Sequence, residues 1–344
     1  MISLAEGKNG ARVIIFAINV HQGGGAALLR ELLAAPNGPD LAFLDSRMPL
    51  SPMMAQGQRV IRVLPNVLQR LKAEVALSRT CRPKDLILCF GNLPPILPCS
   101  GDVYVYIQNR YLIAPRPLTG FSLKARARIC LERWWLRAFM RNSSVVVQTA
   151  TMAQEVHDHL QRDCEILPFK AWSTTHDKHR VHLHDFIYVA SGEPHKNHKC
   201  LVEAWDILAK KGLRPSLCLT LDESTDARLL SWIRNRQADN GLQITNHKSA
   251  PEDMASMYGQ SRAAIYPSLF ESFGLPLLEA KEAGLPVLAS ERDYVRDVIE
   301  PNITFDPSSP LSIARAVMRH LGCSERPACI PAAAEFWQQL RDFS

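Results

Sequence analysis

The sequence predicts an α/β protein built from two doubly wound domains. Three observations carry that expectation. The chain has 344 residues, the length of two domains at roughly 100–200 residues each. Short, branched apolar runs alternate with amphipathic helical stretches, as in a parallel sheet covered on both faces. The alternation stops in a polar stretch at 170–185 and then restarts.

In the first half, the run Val13-Ile14-Ile15-Phe16-Ala17-Ile18 reads as a strand buried on both faces. His21-Gln22-Gly23-Gly24-Gly25 follows as a loop, and 26–34 as a strong helix, which together open a βαβ unit. Further strands are expected at 41–44, 86–90, 103–107 and 144–148, and helices at 67–78 and 122–141. The stretch 170–185 carries His176, His179, His182 and His184 with little apolar periodicity, and reads as an interdomain linker. Spacings of two and three in a loop are weak grounds for a metal site there. The second half is expected to place strands at 186–190, 216–221, 242–245, 263–266 and 286–289. Its helices are expected at 199–211, 226–239, 276–283 and 310–321. The domains are therefore drawn at 1–170 and 171–327. A final helix within 328–344, with Phe336, Trp337 and Leu340 on one side, is free to pack back on the first domain.

Composition excludes several classes. Hydrophobic residues make up 47%, charged residues 22% and aromatics 7%, which excludes a mainly disordered chain. The 17 Gly and 23 Pro show no period, which excludes a collagen-like polymer. Nine scattered cysteines, an odd number with no Cys-x-x-Cys, read as reduced thiols filling cores, which makes the cytoplasm the expected compartment. The first twenty residues lack signal-peptide grammar, and no apolar run reaches about 18 residues, so neither a leader nor a membrane span is expected. Net charge is +6, unevenly spread. Residues 1–170 hold 21 Lys and Arg against 12 Asp and Glu, a net +9; residues 171–344 hold 19 against 22, a net −3.

The most informative string is Tyr266-Pro267-Ser268-Leu269-Phe270-Glu271-Ser272-Phe273-Gly274-Leu275-Pro276-Leu277-Leu278-Glu279. It reads as a strand end, a tight loop and a helix start with Pro276 in its first turn. Free amides and the helix dipole favour an anion there, and a phosphate fits. Glu271 and Glu279 would repel a phosphate, so they need another task. A carboxylate that accepts two hydrogen bonds suits the vicinal hydroxyls of a sugar.

This string resembles the Glu-x7-Glu signature of the retaining group 1 (family 4) glycosyltransferases. The likeness runs on through Glu282-Ala283-Gly284-Leu285-Pro286-Val287 and covers most of the second half. It implies the GT-B fold, two doubly wound Rossmann-like domains facing an interdomain cleft. It implies that Glu271 contacts the transferred sugar of a nucleotide-diphosphate sugar and Glu279 the ribose. The amides of Ser272, Phe273, Gly274 and Leu275 would face the diphosphate and sugar. In Ala190-Ser191-Gly192-Glu193-Pro194-His195-Lys196, Lys196 matches a lysine that neutralises the diphosphate. Ser191 stands where the family usually has an Arg, leaving His195, His198 or Lys199 as substitutes.

In the first half, Gly24 and Gly25 fall on the family's Gly-Gly loop. Gln108 stands at the strand end where many members carry a sugar-contacting His, and Gln108, Asn109 and Arg110 are the acceptor-side candidates. Asn246, His247 and Lys248 are candidates to border the base. No Asp-x-Asp occurs, so no metal or other cofactor is expected. Segment 121–142 sets Lys124, Arg126, Arg128, Arg133, Arg137 and Arg141 beside Trp134 and Trp135. That composition suits either an anionic membrane surface or packing on the domain's own sheet. No nucleic-acid motif accompanies it. The implied function is transfer of a sugar to a glycan or lipid-linked acceptor, in bacterial surface polysaccharide or lipopolysaccharide assembly. A catalytically weak donor-binding subunit is the alternative.

Overall fold

The computed structural model describes residues 11–50, 58–140, 142–169, 182–247 and 254–323, together with Ala332 and Arg341. The expected linker centre, 170–181, and nearly all of 328–344 lie outside the described residues.

The first sheet contains β1 (Val13–Ala17), β2 (Leu41–Asp45), β3 (Arg59–Val63), β4 (Leu86–Cys89), β5 (Asp102–Tyr106), β6 (Ser143–Val147) and β7 (Cys164–Ile166). Its order is β3-β2-β1-β4-β5-β6-β7, with every pair parallel. Helices α1 (Gly23–Ala34), α2 (Val67–Thr80), α3 (Leu123–Phe139) and α4 (Ala150–Leu160) connect the strands. The run at β1 behaves as its composition predicts. Ile14 and Phe16 enter one apolar cluster while Ile15 and Ala17 enter another on the opposite face. Each large side chain so buried contributes about 1.5–3 kcal/mol.

The second sheet contains β8 (His184–Tyr188), β9 (Leu217–Leu219), β10 (Ile244–Asn246), β11 (Ser261–Tyr266), β12 (Val287–Ser290) and β13 (Ile303–Phe305). Its order is β10-β9-β8-β11-β12-β13, again all parallel. Its helices are α5 (His198–Lys210), α6 (Ala227–Asn240), α7 (Met254–Gly259), α8 (Leu275–Glu282), α9 (Asp293–Arg296) and α10 (Pro310–His320).

In each sheet the winding reverses beside the first strand, between β1 and β4 and between β8 and β11. Open α/β sheets bind ligands at the carboxyl ends of such strands. The segments that follow β1, β8 and β11 carry Gly24 and Gly25, Ser191 and Lys196, and Glu271 to Leu275 respectively. The segment after β5, two strands from β1, carries Gln108.

Candidate active site

A cleft of about 810 Å3 lies between the two sheets' helix starts. Gly24, Gly25, Gln108, Ser191, Lys196, Glu271, Ser272, Phe273, Gly274, Leu275 and Glu279 all line it. Two uncapped helix N-termini meet there. Gly23 to Gly25 form the first turn of α1 instead of a loop ahead of it, and Gln22 gives no side-chain cap. Gly274, at φ +80°, is the N-cap of α8 and likewise offers no side chain. The first amides of both helices are left for a ligand. The approach is close: a Cβ on Gly24 would stand 3.2 Å from Leu275 Cδ1, and one on Gly25 3.1 Å from Gln108 Oε1. Leu275 itself packs against the first domain's core.

Glu271 is buried, yet it is held as a carboxylate. Burial alone would raise its pKa; the charges of Lys196 and His195 and its hydrogen bonds outweigh that and keep it below the usual value. Lys196 Nζ donates to both carboxylate oxygens at 2.7 and 2.8 Å, and Tyr266 Oη donates to Oε1 at 3.0 Å. Glu279 is set apart. Burial raises its pKa, and Tyr258 Oη donates to it at 3.0 Å. It sits one turn inside α8, a little deeper than its spacing from Pro276 suggests.

The substitutes offered for the cation missing at Ser191 do not serve. His198 is buried against the Tyr188 ring, both its nitrogens lack partners, and burial pushes it down to about 3. His195 is lowered by burial and lies edge-on to Tyr111. Lys199 lies over Trp232 outside the cleft. Ser191 itself donates to Glu193. The cations lining the cleft, among the described residues, are Lys196 and Arg30. Arg30 comes from α1 of the first domain and pairs with no described residue. Gln148, at the end of β6, was also missed. It is 3% exposed, lines the cleft, and its Nε2 has only a loose contact, to the Tyr106 hydroxyl.

Two acceptor-side candidates are corrected. Asn109 and Arg110 do not line the cleft. Asn109 Oδ1 accepts from Tyr111 N at 3.1 Å and caps the 3-10 turn Arg110–Leu112. Arg110 is 5% exposed. It donates to both oxygens of Glu155, at 2.9 and 2.5 Å, and across the domain boundary to the Glu271 carbonyl at 2.7 Å. Arg116 also reaches Glu155, at 2.8 Å, and both guanidinium groups lie over the Phe270 ring. This cluster supports the Glu271 loop from behind. The base-side candidates do not line the described cleft. Asn246 exchanges hydrogen bonds with the Leu221 backbone, His247 lies outside the cleft, and Lys248 is outside the described residues. The wall there is Thr220, Asp222, Asp226, Met254 and Tyr258.

The basic helix α3 divides its tryptophans. Trp135 faces inward, donates to Pro94 O at 3.0 Å and lies under Arg70. Trp134 is 60% exposed, with Leu123 and Leu131. Arg133 and Arg137 are spent on backbone carbonyls of residues 111–116 and on their own helix. Arg141 is outside the described residues. No described helix is long and apolar enough to cross a membrane.

Known proteins share this architecture. A sucrose-phosphate synthase from Thermosynechococcus elongatus superposes with a TM-score of 0.67 at 17% identity, over 90% of this chain and 89% of its own. HepE from Anabaena, in complex with UDP-glucose, gives 0.66 at 13% identity over 90% of each chain. Such likenesses establish the GT-B fold. In sequence, 137 residues are 28% identical to the O-antigen chain mannosyltransferase B of Escherichia coli, covering 39% of this chain. That match spans only 36% of the relative's length. Residues 177–335, which contain the Glu271–Glu279 string and Lys196, match the family of group 1 glycosyl transferases.

Proposed function

We propose that this chain is a retaining, metal-independent glycosyltransferase of family 4 type. It would move a sugar from a nucleotide-diphosphate sugar to a glycan or lipid-linked acceptor in bacterial surface polysaccharide assembly. One observation carries the reading: the Glu271 carboxylate, charged though buried, sits in a cleft between two uncapped helix N-termini. The helix amides and Lys196 favour a diphosphate without a metal. Lys196 is shared between Glu271 and that diphosphate, so donor binding draws its charge onto the leaving group. Glu271 then accepts hydroxyls of the sugar, and Glu279 with Tyr258 faces the ribose. The acceptor hydroxyl attacks the anomeric carbon from the side on which the diphosphate leaves. The bond from that carbon to the phosphate oxygen breaks, the bond to the acceptor oxygen forms, and a donor phosphate oxygen takes the proton.

The O-antigen mannosyltransferase among the relatives makes a mannosyl donor the first to test. The acceptor would enter along the basic first domain. Trp134, Leu131 and Leu123 on α3 and Val67, Leu68 and Leu71 on α2 are exposed apolar residues of that domain, and on these basic helices they would suit the inner membrane surface.

A thermal-shift screen against UDP, GDP, ADP and their sugars identifies the nucleotide, because a ligand bound only to the native state raises Tm. With that donor, Glu271→Gln should lower turnover by about 100-fold or more, as loss of a transition-state contact does, while nucleotide affinity changes little. Unchanged turnover defeats the assignment. Tight nucleotide binding with neither transfer nor donor hydrolysis would make the chain a binding subunit instead.

A further inference from the structure

Three adjacent strands bring together residues that belong to no part of the cleft. His184 opens β8, Cys218 lies in the middle of β9, and His247 follows β10 directly. Their ligand atoms all lie within 4.8 Å of one another, and the two imidazole rings stand 5.7 Å apart, centroid to centroid. Of the histidines in the polar stretch, His182 and His184 are described, and His184 joins this cluster. Neither imidazole side chain hydrogen-bonds any described residue, and the Cys218 thiol has a 3.9 Å contact to the Leu219 carbonyl and a contact to the Thr245 hydroxyl. The neighbouring carboxylate of Asp185 is engaged by Ser216, through N at 2.9 Å and Oγ at 3.0 Å.

We infer that His184, Cys218 and His247 form a binding site for zinc or a similar transition-metal ion. The donor set decides the class. Two imidazoles and a thiolate suit Zn2+ and exclude Mg2+ and Ca2+, which take oxygen ligands. Zinc with bonds of about 2.0–2.3 Å needs its ligand atoms about 3.3–3.6 Å apart. Binding would require the exposed His247 and half-buried His184 side chains to turn further toward the fully buried Cys218 to reach that spacing. The ion replaces the thiol proton, which leaves to solvent. Exposure at His247 leaves a fourth position for water. The site would tie the end of β10 to β8 and β9. His247 is the last described residue before 254, where α7 begins and supplies Met254, Ala255 and Tyr258 to the cleft wall. A bound ion would therefore anchor one root of that wall. This site is independent of the proposed transfer reaction.

The test uses the full chain, stripped with chelator, in a background where the exposed Cys130 and Cys323 are serine. It is titrated with Zn2+ against a chromophoric competitor, and separately with Co2+. One ion per chain is expected, with a thiolate-to-cobalt charge-transfer band and a Tm that rises with Zn2+. Cys218→Ser should abolish the band and weaken Zn2+ binding by at least about 100-fold, beyond the loss of an outer-shell partner. Because a buried substitution can disturb folding, the surface pair His184→Gln/His247→Gln is measured alongside and should weaken binding equally with an unchanged metal-free Tm. Replacing His176, His179 and His182 with Gln should leave binding intact. Absence of stoichiometric binding, absence of the thiolate band, or binding that survives His184→Gln/His247→Gln would overturn the inference.

Discussion

Replacing Arg110 tests whether the cluster behind Glu271 holds the loop in place. Arg110→Met keeps most of the apolar stem and removes three hydrogen bonds: two to Glu155 and the 2.7 Å bond to the Glu271 carbonyl. Taking one partner from a buried ion pair costs about 3–5 kcal/mol. Arg116 still reaches Glu155 at 2.8 Å, which places the loss near 3 kcal/mol. At about 2–4 °C per kcal/mol for domains of 150–250 residues, Tm should fall by about 6–12 °C. Differential scanning calorimetry measures this. Glu155→Gln and the double variant complete a cycle that should return a coupling of at least about 1 kcal/mol. Donor affinity should fall as well, because the Glu271 carbonyl loses its anchor on the opposite domain. If Arg110→Met melts within about 2 °C of the parent, less than 1 kcal/mol is involved, and the cluster does not support the loop.

Arg30→Gln should weaken nucleotide-diphosphate binding by about tenfold, the effect of about 1.4 kcal/mol, with no loss of Tm, since Arg30 pairs with no described residue; equal affinities by calorimetric titration would remove it from the site. Gln148→Leu should leave Tm nearly unchanged, because a loose contact to the Tyr106 hydroxyl does little to offset a burial cost of about 1–3 kcal/mol for that amide, while kcat/KM falls by about tenfold or more where a substrate hydroxyl would have met it. A drop in Tm with unchanged kinetics would mark Gln148 as structural. His198 is pushed down to about 3 in the folded chain and titrates near 6.5 when unfolded. Below about pH 6.5 the unfolded chain therefore binds a proton that the native chain refuses, so stability falls by about 1.4 kcal/mol per pH unit until the folded value is reached. His198→Phe should remove that slope between about pH 6 and 4 in urea unfolding, and parallel profiles would contradict it. Glu271 adds an acid loss at lower pH, its contribution being complete above the unfolded carboxylate value and lost as pH falls through its depressed one.

The strands legible in the sequence are chiefly those buried on both faces, where branched apolar residues run without interruption: β1, β2, β4 to β6, β8, β9, β11 and β12, with β10 read as well. Three strands at sheet edges, β3, β7 and β13, were not legible. In β3, Arg59 and Arg62 face solvent, while β7 and β13 are three residues each. An edge strand has one neighbour and needs little apolar surface, so it leaves little pattern. Helix α4 was legible and was missed. Thr149 Oγ1 accepts from Met152 N at 3.2 Å, and Met152 and Val156 are buried four residues apart. A capping Thr followed by an i, i+4 apolar pair is a helix signal, obscured by His157 and His159.

The site divides along the same physical line. Glu271, Glu279 and Lys196 were legible as cleft residues because a strand end, a turn and a helix start place them locally. The second cation lining the cleft, Arg30, was not. Sequence proximity to Ser191 pointed to His195, His198 and Lys199, and each is claimed by an aromatic neighbour: Tyr111, Tyr188 and Trp232. Arg30 lies on the other domain, and nothing near it in the chain announces a phosphate. Arg110 shows the converse. Its neighbour Gln108 faces the cleft, but two residues on, in a 3-10 turn, the chain has rotated the guanidinium away from the cleft and onto Glu155 and the back of the Glu271 loop. A cleft between two sheets draws its groups from both, so strand order and the pitch of single turns decide which polar side chains a ligand meets, and neither is written in the spacing of a motif.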